Sequence, residues 1–204
     1  MSDVAKKIMK RMSEQKTGWI GTPKDFADIG ASGEIDQALR SLVKAGRLRR
    51  VDRGLYDVPK VNRSSKEAEP ADLYSAVTAV ARRKSARVMP DGSVYANMLG
   101  LASSPPESIF YDTDGPSRTL TIVGKTVRFR HAPPKVMLWA DRPGAPVVQA
   151  LRWLGSEAGK DPHVVATLKR VLPDHVKSDL LQGIGYLPIW MQPIVRKLTE
   201  ESGG

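Results

Sequence analysis

The chain has 204 residues, no cysteine and a formal net charge of +10, from 32 lysines and arginines against 22 acids. That length accommodates one large domain or two modest ones with a real core, and the lack of cysteine excludes disulfides and thiolate-bound zinc. The charge favours a polyanionic partner such as DNA, RNA or an anionic membrane face, while no run of about 18 apolar residues offers a membrane span.

Val4, Ile8 and Met12, with Ala5 and Met9 beside them, give a first amphipathic helix with Lys6, Lys7, Lys10 and Arg11 outside. Its charged flank MSDVAKKIMKRMSEQ has no apolar signal region, so a cytoplasmic protein is expected. Thr17-Gly18 breaks this helix, and Trp19-Ile20 offers a short first strand that pairs with a later ribbon. Thr22-Pro23 opens a second helix: a good N-cap is followed by a proline where its missing N–H costs nothing. Phe26 and Ile29 point inward and Gly30 ends it. Ser32 caps a third helix whose apolar stripe is Ile35, Leu39, Leu42 and Val43, stopped by Gly46. Leu48, Val51, Leu55 and Val58 then mark two strands, with Asp52-Arg53-Gly54 as the turn.

Three short helices and a hairpin in residues 1–60 are the plan of a winged helix-turn-helix. Lys60–Pro70 is polar and aperiodic, so residues 61–70 are predicted to be a linker. Residues 71–204 form the expected second domain. It begins with a helix over Ala71–Ser85 (Leu73, Val77 and Val80 inside) and a short strand at Arg87-Val88-Met89. A helix over Gly92–Gly100 follows. Strands at Ser108–Asp112, Arg118–Val123 and Thr126–His131 come next, the last two joined tightly at Gly124-Lys125. Helical segments are predicted at Val147–Trp153, Val164–Val171, Val176–Leu181 and Ile189–Leu198, with a fraying tail at Glu200–Gly204. The fold class is α+β: an N-terminal winged helix plus a C-terminal domain of β-hairpin strands packed with helices.

The charge is concentrated. Between Arg40 and Lys66 nine basic residues (Arg40, Lys44, Arg47, Arg49, Arg50, Arg53, Lys60, Arg63 and Lys66) face two acids, Asp52 and Asp57. A helix followed by a cationic ribbon suits double-stranded DNA, with the helix in the major groove and the ribbon on the backbone. The helix residues expected at the groove are Ser32, Gly33, Asp36, Gln37 and Arg40. Gln37 matches adenine and Arg40 matches guanine, while Ser41 and Lys44 fall at phosphates. Arg47, Arg49, Arg50 and Arg53 form the electrostatic grip, and Gly54 lets the turn approach a phosphate closely. Asp36 and Glu34 oppose this reading, because carboxylates repel phosphate, and a plain solvated helix face remains the competing account. Arg82-Arg83-Lys84 and Arg128, Arg130 and Lys135 read as solvated helix-end and strand-face charges, with a second anion-binding patch as the alternative.

Catalytic signals are few. Asp112-Thr113-Asp114 has the spacing of a two-metal carboxylate pair but precedes Gly-Pro, which reads as a turn. His131, His163 and His175 lack partners at ligand spacing, and no phosphate-binding loop or nucleophile elbow occurs. No enzyme activity, metal or cofactor is expected. Trp139, Trp153 and Trp190 with Met137 and Met191 are expected to build the C-terminal core or a partner surface.

Two segments carry a resemblance. One is Gly46-Arg47-Leu48-Arg49-Arg50-Val51-Asp52-Arg53-Gly54-Leu55-Tyr56-Asp57-Val58-Pro59. The other comprises Val94-Tyr95-Ala96-Asn97-Met98-Leu99-Gly100-Leu101, Thr113-Asp114-Gly115-Pro116-Ser117-Arg118 and Val123–Pro134. Together they resemble the AbiEi-type antitoxin family of abortive-infection (type IV) toxin–antitoxin systems in its shorter form, over roughly residues 1–135. The resemblance implies an N-terminal domain that binds an inverted repeat of operator DNA and represses its own operon, with dimerisation on DNA left open. It implies a C-terminal antitoxin domain that neutralises a neighbouring nucleotidyltransferase-like toxin, without requiring a stable complex. Two alternatives stand beside it: a winged-helix regulator whose C-terminal domain senses a ligand or dimerises, and a nucleic-acid enzyme dependent on Asp112.

Overall fold

The computed structural model describes residues 1–61, 64, 67–104 and 108–200 of an α+β chain. The chain divides into two compact units: Met1–Ala86 with Leu120–Thr126, and Arg87–Thr119 with Val127–Gly204.

The first unit opens with α1 (Asp3–Glu14), whose Ser2 side chain accepts the Ala5 N–H and which buries Ala5, Ile8 and Met12. The second expected helix is instead one 3-10 turn, Pro23–Phe26. Its bonds run i to i+3: Asp25 N–H to Thr22 O, Ala27 to Lys24 and Ile29 to Phe26. The Asp25 carboxylate caps it by accepting the Thr22 N–H at 2.7 Å, and Phe26 drops fully into the core. Helix α2 (Ser32–Lys44) follows, capped by Ala31 rather than Ser32. Alanine has no side-chain acceptor for the first helical N–H groups; the one capping bond here runs the other way, with Glu34 accepting the Ala31 N–H at 3.0 Å. Ile35, Ala38, Leu39 and Leu42 meet Ile8, Met12 and Phe26 in one cluster. Each large apolar side chain buried there is worth about 1.5–3 kcal/mol relative to exposure.

Strands β1 (Arg49–Asp52) and β2 (Leu55–Asp57) form the ribbon, antiparallel with Arg49 opposite Asp57. The expected first strand shrinks to a single bridge: Gly21 and Tyr56 exchange backbone hydrogen bonds of 2.8 and 2.9 Å. A side chain on Gly21 would sit 2.8 Å from the Trp19 ring, so glycine is required by the close approach.

The predicted linker is tied down where it is described. Val61 bridges Ala68, and the Glu69 N–H donates to the Lys60 carbonyl at 2.8 Å. Arg63 and Lys66 of the basic stretch, the rest of the linker at 62 and 65, and the tail from 201 on lie outside the described residues. Helix α3 (Leu73–Arg83) belongs to the first unit, so the boundary falls after Ala86 instead of within 61–70. Arg82 accounts for this. Its guanidinium donates to both Asp25 oxygens (2.8 and 2.9 Å) and the Ile20 carbonyl (2.7 Å), and lies 4.8 Å from the Trp19 ring centroid.

In the second unit, β3 (Val88–Pro90) leads into α4 (Gly92–Met98), and β4 (Ile109–Thr113), β5 (Arg118–Ile122) and β6 (Lys125–His131) follow. The sheet order is β3-β4-β6-β5, with β3–β4 antiparallel and β4–β6 parallel. β4 and β5 therefore do not form a hairpin. The tight Val123-Gly124 turn delivers β6 between them, and the tip of that hairpin, 120–126, groups with the first unit. Helices α5 (Pro134–Met137), α6 (Ala145–Leu154), α7 (Pro162–Val171), α8 (Asp174–Gln182) and α9 (Gln192–Thr199) build the larger core around Met137, Trp139, Leu151, Leu168, Leu180 and Met191. Trp153, expected in that core or on a partner surface, is 51% exposed. Among the described residues no helix is long and apolar enough to cross a membrane.

Candidate nucleic-acid interface

A helical rotation of 100° per residue sets Gly33, Gln37, Arg40 and Lys44 opposite the buried line of Ile35, Leu39 and Leu42. All four are exposed, as are Ser32, Asp36, Ser41 and Arg47. Among the described residues, the side chains of Gln37, Arg40, Ser41, Lys44 and Arg47 have no hydrogen-bond or ion-pair partner. The nearest acid in the first turn, Glu34, is occupied by its capping bond. Asp36 stays exposed on the flank of the same face. Ser32 faces away, towards Pro23, Lys24 and Ala27, with which it lines a shallow hollow.

Gln37, Ser41 and Arg47 also line a groove of about 710 Å³ between α2 and the start of α1, floored by Val4, Ala5, Ala38 and Leu42. One edge of α2's outer face thus borders an apolar channel, while Arg40 and Lys44 stand on open ground.

The ribbon sorts its cations differently. Arg49 donates Nε and Nη2 to the two Asp57 oxygens (3.0 and 2.6 Å) and Nη1 to the Glu69 carbonyl (2.6 Å). Asp57 is buried, so this guanidinium is committed to neutralising it and to pinning the segment after the ribbon. Arg50 and Arg53 remain exposed; among the described residues Arg50 makes only a 3.4 Å contact from Nε to the Asp52 carbonyl. The turn itself is clasped. Asp52 accepts the N–H of Arg53 at 2.6 Å and of Val123 at 2.8 Å, and the Arg53 carbonyl accepts from Arg83 Nη1 at 3.3 Å. The Val123 and Arg53 amides hold the Asp52 carboxyl below the usual carboxylate range. Gly54 has φ of +70°, which explains the glycine. A side chain there would meet Arg83 Nη1 at 3.1 Å, so this face of the turn packs on α3 instead of presenting bare backbone.

Of the basic triplet at the end of α3, Arg82 is spent on Asp25 and Arg83 reaches the turn. Lys24 Nζ reaches the Arg83 carbonyl at 3.3 Å and Ser85 Oγ at 3.0 Å. Lys24, Arg83 and Arg53 therefore gather beside the ribbon turn, a cationic addition that sequence spacing did not bring together.

Elsewhere, Asp112 and Asp114 do not converge on a metal position. Asp112 is taken by Arg130 and Gln149, and Asp114 by the N–H and Nε of Arg87 (2.8 and 2.9 Å). Among the described residues no group of three or more His, Asp or Glu side chains is arranged to hold a metal ion.

The fold and this surface define an α+β protein whose first unit carries an open cationic helix face beside a basic ribbon. The chain belongs to a family of unknown function, DUF6088, whose model matches residues 7–180. Comparison with curated proteins and with solved structures finds no match to either.

Proposed function

We propose that the first unit is a winged helix that binds double-stranded DNA, with α2 as its recognition helix and Arg50 and Arg53 on the backbone. The observation that carries this reading is the outer line of α2. Gln37, Arg40 and Lys44 are exposed and have no partner among the described residues, although acids are available on the same unit. The order of α1, the 3-10 turn, α2 and the β1–β2 ribbon supports it. So does the length of α2, which suits a major groove that admits one helix. Operator binding, repression of the protein's own operon and neutralisation of a nucleotidyltransferase-like toxin follow as proposals from the resemblance to AbiEi-type antitoxins. The cysteine-free composition supports placing the protein in the cytoplasm.

Fluorescence anisotropy with the upstream region of the gene and with a random duplex tests the DNA half. Tighter binding to the upstream region, with a relaxed preference in Arg40→Ala, is the expected result. Equal affinity for both duplexes rejects the operator. Co-expression with the adjacent open reading frame tests the antitoxin half: a neighbour that halts growth alone, but not in the presence of this chain, supports it.

A further inference from the structure

The second unit holds a cavity of about 230 Å³ lined by Asp91, Gly92, Asp112, Arg130, Gln149, Arg152 and Trp153. Four elements build it: β4, β6, α6 and the start of α4. Strands β4 and β6 lie parallel with Asp112 opposite Arg130, so both side chains rise from one face of the sheet. Helix α6 crosses α4 so closely that a side chain on Gly92 would overlap the Gln149 carbonyl, and this sets Gln149, Arg152 and Trp153 over the sheet.

The hydrogen-bonding inventory of the cavity is lopsided. Asp112 Oδ1 accepts from Arg130 Nε at 2.8 Å and its Oδ2 from Gln149 Nε2 at 2.9 Å. Asp91 Oδ1 accepts the N–H and hydroxyl of Ser93 (3.0 and 2.7 Å), and its Oδ2 accepts from Arg130 Nη2 at 2.9 Å. Every carboxylate oxygen is therefore engaged by a donor. The donors left over are Arg130 Nη1, which takes part in none of these bonds, and Arg152, which has no partner among the described residues. Arg130 is 53% exposed yet fixed in orientation by its two carboxylates, and its guanidinium lies 5.8 Å from the Phe110 ring centroid. Arg128 lies 5.4 Å from the same ring, so the cationic surface continues along β6. Beside the free arginine stands Trp153, a large ring half open to solvent at the rim.

A fixed guanidinium, a second free guanidinium and an open indole face are the parts that hold a phosphate and the base attached to it. We infer that this cavity binds a nucleotide, its phosphate on Arg130 and Arg152 and its base stacked on Trp153. The volume agrees: it is below the roughly 300–1,000 Å³ that encloses a whole drug-sized ligand, so the phosphate end enters and the base stays at the rim. The site belongs to the second unit and does not depend on the reading of α2. The nucleotide arrives either free or as one unit of a single strand.

Calorimetric titration of the full chain with ADP, with inorganic pyrophosphate and with a short single strand of uridylates tests this. The Trp153 and Arg152 variants, both on the second unit, separate this outcome from any binding by the first unit. ADP or the single strand is expected to bind, the stronger of the two identifying the source. Trp153→Ala should weaken that binding roughly five- to a hundredfold, and Trp153→Phe should largely restore it. Arg152→Ala should weaken all three probes. Arg170→Ala, which removes an exposed arginine on α7, should change none. Both Trp153 and Arg152 are exposed, and unchanged thermal unfolding of their variants establishes that the fold is intact. Pyrophosphate binding as tight as ADP with no effect of Trp153→Ala overturns the nucleotide. So does the absence of binding by all three probes to the folded protein.

Discussion

Arg40 on α2 and Arg49 at the foot of the ribbon belong to one basic stretch of sequence, but the structure uses them in opposite ways. Arg40 stands exposed with no partner among the described residues, whereas Arg49 closes a two-pronged bond on buried Asp57 and reaches a backbone carbonyl as well. The same division runs through the α3 end, where Arg82 is locked on Asp25 and Lys84 is left in solvent. Local charge density marks where polyanion binding is plausible. The partner of each cation decides how it can bind one: a guanidinium paired with a buried carboxylate meets a phosphate only through an N–H group that its partners leave free, and Arg49 has Nε, Nη1 and Nη2 all engaged.

The largest expected effect falls on the tied-down side. Asp25 accepts four hydrogen bonds, two from Thr22 and two from Arg82, and its carboxyl titrates below the usual range. Burial alone would raise it; the Arg82 and Thr22 bonds outweigh that. Asp25→Ala removes the cap of the 3-10 turn and strands the Arg82 charge, a loss of about 2–4 kcal/mol in urea unfolding. DNA affinity per folded molecule should not change. If Asp25→Ala unfolds like wild type, the bonds that draw α3 into the first unit are idle.

The next effect belongs to the open side. Arg40→Ala should cost about 1–3 kcal/mol of discrimination at one base position while leaving thermal unfolding unchanged. A stability loss with no change in DNA preference would turn α2 back into a solvated face.

A smaller and sharper contrast lies within the ribbon. Arg50→Ala should weaken all duplexes about equally and shallow the log–log salt slope by about 1. Arg49→Ala should instead lower stability and leave the slope nearly unchanged, since Arg49 neutralises Asp57. Equal slopes for the two variants would erase the distinction between free and committed arginines.

Much of this fold was legible in the sequence. The stripes of α1 and α2, the ribbon around Gly54 and the strands at 109–113, 118–122 and 125–131 follow from apolar period and turn chemistry. What escaped was set by partners distant in sequence. The turn at 23–26 looked helical because Thr22-Pro23 is a helix opening; nothing local says that Asp25 will fold back on Thr22 and take Arg82 besides. Ser32 looked like a cap, but Glu34, which turns back on the helix start, sits three residues after Ala31 and accepts that residue's N–H. Arg49, Arg82 and Arg130 read as solvated or DNA-facing for the same reason. Each finds its acid through strand register or helix docking, and only the Asp57 opposite Arg49 lay close enough in sequence to have been found as a cross-strand pair. The Asp91–Arg130–Asp112 cluster was invisible because it joins a helix cap to two strands that are neighbours only once β6 inserts between β4 and β5.

The mildest test concerns an exposed pair and works through pH. Arg11 on α1 donates two bonds to Asp28 (2.6 and 2.7 Å) and one to the Asp25 carbonyl (2.8 Å), stapling α1 to the turn before α2. The Arg11 bonds lower the Asp28 carboxyl to about 2. A folded-state value below that of the unfolded chain means the carboxylate form is favoured by folding. Its stabilisation is complete above the unfolded value near 4, declines as the pH falls, and is gone once the pH passes below about 2. Asp28→Asn should therefore flatten the acid limb of a stability–pH curve in that window and leave the neutral plateau only slightly lower, because exposed pairs contribute little. An acid limb identical to wild type would mean that Arg11 holds the turn through the Asp25 carbonyl alone. The α1–α2 angle that presents Arg40 would then rest on core packing rather than on this surface staple.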